Sequence, residues 1–312
     1  MPKKEVKTNL FIAAAVIALL LVSLYGIFNY KSKEMEKPKA GNQNATKVLF
    51  RANELYNNRN YVDAIQQYKM SISLDPKLYL AYIGLGHSYI DLGLFDEAIK
   101  TFEKTFQIGY ADFRTYYGLG LAYYVREDYS KAYSNLKQAY DLNPSNRAVN
   151  SYLVNTYNTL GMHGDAISLA KRYLEKEPSN HHFYRKIAVS YLLKNDVQNA
   201  LQNINKALEL NGSDHSNHLA LANIYLYSGN AQDALQEFNI ALAVTRRSWT
   251  HEGISVSYYL LGDFENSEKH SDLAKSFPQH SFSISLLGFA LLNNKKYEKA
   301  IEKFEDASKV KP

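Results

Sequence analysis

Histidines cluster in the second half of the chain, among them His181, His182, His215, His218 and His251. His215 and His218 lie three residues apart, which on a helix puts two imidazoles on one face at a spacing suited to a metal ion. A second candidate is the glycine pair in Gly84-Leu85-Gly86, repeated as Gly118-Leu119-Gly120. Glycines this close can let a backbone approach a phosphate, but the fuller motif needs a third glycine and a strand-to-helix turn, and neither copy supplies them. No His-Glu-x-x-His run, P-loop or Ser/His/Asp arrangement stands out. The chain contains no cysteine, which excludes disulfides, thiolate zinc sites and cysteine nucleophiles. These residues point away from an enzyme, and no catalytic, cofactor-binding or metal-ligating residue is assigned.

The elements around them give a simpler account of the same residues. Ala64, Ala98, Ala132, Ala166, Ala200 and Ala234 follow one another at intervals of 34 residues. A fixed period of this size means a stack of similar supersecondary units, because one such unit cannot bury its own apolar face. Within a unit, Tyr82, Leu85, Gly86 and Tyr89 share one helical face. After a turn at Gly93, Phe95, Ala98, Phe102 and Thr105 share another. Each unit is therefore a helical hairpin. Both Gly-Leu-Gly runs fall inside first helices, and His218 and His251 take a slot filled elsewhere by aromatics, so packing explains them without chemistry.

The phrase Tyr82-x2-Leu85-Gly86-x2-Tyr89, followed by Phe95-x2-Ala98-x3-Phe102, resembles the tetratricopeptide repeat, with Tyr in place of the usual Trp. The third unit continues it with Tyr116, Leu119, Gly120, Tyr123, Tyr129, Ala132, Leu136, Ala139 and Pro144. Tyr89, Tyr123, Tyr157, Tyr191, Tyr225 and Tyr258 hold one slot throughout. The fold class expected is all-α, an α-α superhelix of eight hairpins beginning near residues 45, 79, 113, 147, 181, 215, 248 and 281. Ser267 and Ala300 each stand 33 residues after the preceding ladder position, and the serine marks the expected loosest joint.

Ahead of the repeats, Leu10 to Phe28 is an uncharged run of 19 residues. As a helix it would be roughly 28 Å long, enough to cross a bilayer. A cleavable signal peptide has a shorter apolar core, about 7–15 residues, and ends in small residues. The sequence therefore divides into an N-terminal tail at 1–8, a transmembrane signal-anchor at 9–30, a polar linker at 31–44 and the repeat domain at 45–312. Residues 1–44 hold seven lysines against three glutamates, leaving 29 basic and 28 acidic residues beyond them. That near-neutral body argues against nucleic acid as a partner. Lysines flank both ends of the apolar run. The short basic tail is read as cytoplasmic and the repeats as extracytoplasmic, on a bacterial inner membrane.

The resemblance implies more about function than the spacing does. In such domains the first helices line a concave groove, and the matching slots here carry Asn53, His87, Tyr117, Tyr124, Asn155, Arg185, Asn223 and Tyr227. Asparagine can donate to and accept from a peptide backbone, so Asn53, Asn155 and Asn223 form a candidate clamp for an extended chain. Arg114, Tyr56, Tyr259, Trp249 and Phe282 map to the same face, and aromatics and arginine are common interface anchors. The Lys, Asn, Asn, Lys, Arg set by which some members hold a C-terminal carboxylate is missing. The expected function is a membrane-anchored scaffold binding a protein or peptide partner in envelope assembly, secretion or quality control. The alternative is a cytosol-facing receptor or co-chaperone of the same build, and the third reading is a metal-binding protein or enzyme.

Overall fold

The computed structural model describes residues 43–244, 248–275, 292 and 295–309. The apolar run at Leu10–Phe28, Phe282, and the first helix expected near residue 281 lie outside them. Fifteen α-helices, and no strand, occur among the described residues. They are α1 Gln43–Asn57, α2 Tyr61–Leu74, α3 Tyr79–Asp91, α4 Phe95–Gln107, α5 Phe113–Val125, α6 Tyr129–Leu142, α7 Arg147–Thr159, α8 His163–Leu174, α9 His181–Leu193, α10 Val197–Leu210, α11 His215–Tyr227, α12 Ala231–Val244, α13 Ser248–Leu261, α14 Phe264–Lys275 and α15 Tyr297–Lys309. From α1 to α14 consecutive helices pair as hairpins, and each hairpin packs on the next, giving an all-α solenoid. No helix among the described residues is long and apolar enough to cross a membrane.

The alanine ladder sits at the crossing of the two helices in each hairpin. All six alanines are fully buried, as are Ala52, Ala188 and Ala222 on the facing first helices. Small side chains let the axes approach, and larger ones fill the space between units. Tyr68, Phe102, Leu136, Ile204 and Phe238 occupy the same second-helix position and are buried almost completely. At the serine break, the Ser255 hydroxyl donates to the Ser267 carbonyl at 2.6 Å, and the two hydroxyls lie 3.2 Å apart. The polar substitution at this joint is thus compensated by hydrogen bonding across the crossing.

The turn inside each hairpin is the most regular feature of the array. One residue per unit, at Arg59, Gly93, Glu127, Gly161, Asn195, Gly229, Gly262 and Lys295, has φ between 59° and 85°. The following amide reaches back five residues, as in Leu94 to Tyr89 at 2.8 Å and Asp128 to Tyr123 at 2.9 Å. This closes the helix end with a left-handed residue and satisfies carbonyls that have no partner inside the helix. Asn60, Asp128 and Asp196 then cap the second helices by accepting from the amides of Asp63, Lys131 and Asn199. Pro76, Pro144 and Pro178 follow second helices, where a residue without an amide proton cannot extend the ladder.

Candidate functional site

Contacts between successive units decide which first-helix side chains remain available. The Tyr68 ring covers Gly84, Phe102 covers Gly118 and Phe238 covers Gly253, each so closely that a Cβ would collide with the ring. The Gly-Leu-Gly runs are explained by the same packing, since Phe102 also covers Gly86 and Leu136 covers Gly120. Between the fourth and fifth units the same two positions hold Ala170, which is small, and Lys186, which is long.

An aromatic strip runs along the first helices from the second unit to the fourth. His87 lies 5.9 Å from Tyr117, Tyr117 lies 6.0 Å from Tyr152, and Tyr152 lies 5.5 Å from Tyr124. Tyr129 continues it at 5.5 Å from Tyr124. Burial is the main cause that raises the phenol pKa values of Tyr117, Tyr124 and Tyr152, so these hydroxyls remain protonated donors. Burial also lowers His87, which keeps its ring neutral in spite of Asp91 nearby.

Beyond the strip the contacts along the first helices become polar. The Lys186 ammonium donates to Asn155 Oδ1 at 2.7 Å. Burial, with a smaller contribution from the Arg185 charge, lowers the Lys186 pKa to about 7. Asn158 donates to the Ser190 hydroxyl at 2.9 Å. At the first unit Asn53 accepts from Tyr68 at 2.7 Å, and Tyr56 donates to Asp91 at 2.6 Å. Tyr227 donates to Asn195 at 2.8 Å.

The expected site residues therefore fall into different situations. His87, Tyr117 and Tyr124 are brought together in one strip. Asn155 adjoins it through Tyr124, whose hydroxyl it and Thr159 contact as hydrogen-bond partners. Asn53 and Tyr227 are already hydrogen-bonded within the array. Arg185 is held in place by Asp214 and Asn217, both at 2.8 Å.

The histidines divide as well. His215 and His218 do not converge: His218 Nδ1 lies 2.6 Å from Glu237, with Nε2 2.9 Å from the Gly212 carbonyl, whereas His215 lies 3.7 Å from Asp214. His251 meets His270, with the Nδ1 atoms 3.1 Å apart. Among the described residues, the group with metal-ligand proximity is His181, His182 and Asp214, whose ligand atoms lie within 4.8 Å of one another. Arg185 donates to Asp214 Oδ2, the oxygen nearest both rings. The guanidinium, which also lies 3.2 Å from His182 Nδ1, already engages two of the three ligand atoms, and the cluster reads as an ion-pair network.

Sequence reasoning passed over Tyr152, Lys186 and Asp214. A usable signal was present in the pairs sixteen residues apart. Tyr68/Gly84 and Phe102/Gly118 match large with small, and Ala170/Lys186 reverses the order.

With this geometry in place, comparison with known proteins defines the class. Residues 83–147 and 153–215 match the tetratricopeptide repeat model. Over those segments the chain carries tetratricopeptide repeats, and the in-phase alanine ladder and turn geometry continue the same register on either side of them. No curated protein matches the sequence. Among solved structures the chain is similar to PilW, a type IV pilus biogenesis factor, with 20% identity and a TM-score of 0.59 over 65% of this chain and 94% of that one. It is similar to a tetratricopeptide repeat protein from Parabacteroides merdae ATCC 43184, with 18% identity and a TM-score of 0.56 over 75% and 93%. The Cut9–Hcn1 assembly of the APC/C gives 14% identity and a TM-score of 0.59 over 85% of this chain and 53% of the matched chain. At these identities the likeness concerns the fold alone.

Proposed function

We propose that this protein is a scaffold that holds an extended segment of a partner protein along its first helices. The observation that carries this reading is the aromatic strip of Tyr117, Tyr152 and Tyr124. Its three rings are half-buried against the core, and burial keeps their hydroxyls protonated as donors. Tyrosine supplies large contact area at low entropic cost and a hydrogen-bond donor at its tip. Asn223 makes no side-chain hydrogen bond to the described residues and remains a candidate backbone clamp, along with Asn53 and Asn155. The groove proposed thus comprises Asn53, His87, Tyr117, Tyr124, Asn155, Arg185, Asn223 and Tyr227, joined by Tyr152.

In the same proposal, residues 9–30 anchor the chain in a membrane, residues 31–44 form a linker and residues 45–312 form the repeat domain. The role is assembly, secretion or quality control at the cell envelope. Site-specific photo-crosslinking in cells tests the groove. Probes at positions 117 and 223 should capture a common partner, and a probe at Lys100 on the outer helix α4 should not. Equal capture from all three positions would sink the reading. Protease protection in intact cells or vesicles reports the orientation, with protected repeats expected for the extracytoplasmic arrangement only if the outer membrane is intact.

A further inference from the structure

The first helices of units three to six have an unusual charge distribution. Helices α5, α7, α9 and α11 contain no aspartate or glutamate, and their basic residues are Arg114, Arg147, Arg185 and Lys186. The carboxylates of these units are found on second helices, at caps and in the turns and connectors, where Glu127 and Glu177 lie. Two of the caps neutralise arginines, Asp112 with Arg114 and Asp214 with Arg185. Arg147 is exposed at the start of α7. Lys186 is different, because its ammonium is held beside the neutral amide of Asn155 and no carboxylate among the described residues pairs with it. A partly buried cation without a counter-ion is costly, and an arriving anion lowers that cost.

We propose that the concave wall of units three to six takes an extended acidic peptide, with one side-chain carboxylate seated on Lys186 beside Asn155 and neighbouring residues packed on Tyr117, Tyr124 and Tyr152. The proposal rests on the peptide-groove reading above and supplies the chemistry of its ligand. Charge complementarity selects the occupant: the four first helices carry no acidic side chain, and Asp112 and Asp214 beside them are held by arginines. The one uncompensated ammonium favours a carboxylate at Lys186, while Asp91 and Glu127 border the tyrosine end. Single-stranded nucleic acid would also stack on tyrosines, but it needs a succession of cations along its phosphates, and these four helices offer one free of a carboxylate partner in the groove.

Carboxylate binding would hold Lys186 in its charged form. Arg185, from the same helix, is the charge acting on it and is already neutralised by Asp214 at the cap of α11. From α7 it meets the uncharged Asn155. Near neutral pH, where the free site is only partly protonated, binding an acidic peptide should therefore take up protons from buffer.

The test uses the full chain on an array of defined twelve-residue peptides in which each position is varied in turn. Wild type should retain peptides with Asp or Glu at one position several-fold over their Asn or Gln counterparts. Lys186→Met should lose that preference, and Lys186→Arg should keep part of it. Circular dichroism establishes that each variant is folded, with Lys186→Gln as a second neutral replacement. Calorimetry of the best acidic peptide in two buffers at pH 7.5 should show proton uptake by wild type that is absent in Lys186→Met. A preference for neutral or basic peptides, an acidic preference that survives Lys186→Met, or displacement of the peptide by oligothymidine would overturn this inference. Peptide binding without acidic preference leaves the groove reading standing and removes this one; retention of no peptide removes both.

Discussion

The Phe102 ring fills the space that a side chain at Gly118 would occupy, so the second unit's outer helix rests against the backbone of the third unit's inner helix. Helical glycine ordinarily costs about 1 kcal/mol relative to alanine. Here the close approach reverses that preference. Gly118→Ala is expected to destabilise the array by about 1–2 kcal/mol, because displacing a fully buried aromatic outweighs the helix gain. Gly164 is the control: it lies in α8, and nothing stands within 4 Å of a Cβ added there. Gly164→Ala is expected to stabilise by about 0.5–1 kcal/mol. Chemical denaturation of both variants should give shifts of opposite sign, and shifts of the same sign would contradict the interface.

The left-handed residue of each hairpin turn supports a second prediction. Glycine holds this position in four units, while Arg59, Glu127, Asn195 and Lys295 hold it in the others at the same φ. A side chain in this conformation costs roughly 1 kcal/mol for ordinary residues and less for asparagine. Glu127→Gly should therefore stabilise by up to about 1 kcal/mol, with a smaller gain for Asn195→Gly. Thermal melts that show a larger gain at Asn195 than at Glu127 would argue against this origin of the cost.

Much of the fold was legible because packing repeats. Alanine at the helix crossing and glycine at the turn impose one requirement many times, so weak local signals add in phase. Leu119 and Tyr123 could be placed from sequence for this reason. The site was less legible because it depends on departures from the repeat. Asn155 was identified by its slot, but its partner Lys186 is one residue from the slots expected to face the groove. Its place was signalled only by Ala170, a small residue sixteen positions earlier where Tyr68 and Phe102 stand in other units. Asp214 was missed because it lies in a connector, and its importance comes from drawing Arg185, His181 and His182 together in space. No spacing within one helix encodes that convergence.

That relation between Ala170 and Lys186 can be tested by restoring the pairing used elsewhere. Ala170→Phe alone should collide with Lys186 and cost about 1–3 kcal/mol. Combining it with Lys186→Gly recreates the Phe102–Gly118 arrangement, and the double variant should recover at least about 1 kcal/mol of the sum of the single losses. Additive losses in urea unfolding would show that the two positions do not face each other.

The Lys186 charge also sets a pH dependence for stability with a definite sign. A lysine in the unfolded chain titrates near 10.4, whereas burial lowers this one to about 7 in the folded chain. Between those values the unfolded state holds a proton that the folded state lacks, so stability rises with pH across that window. Below about 7 both states are protonated and the penalty is present in full. The depressed histidines His87, His163, His182, His251 and His270 act at lower pH. The raised phenols Tyr117, Tyr124 and Tyr152 hold their contribution until pH passes about 10. The interval from pH 7.5 to 9 therefore isolates the lysine. Across it, wild type should gain about 1–2 kcal/mol, read as a melting temperature several degrees higher. Lys186→Met should remain nearly flat and be at least as stable as wild type at pH 7.5, because an apolar side chain replaces an unpaired buried cation. Parallel pH profiles for the two proteins would place the lysine in water instead of in the groove.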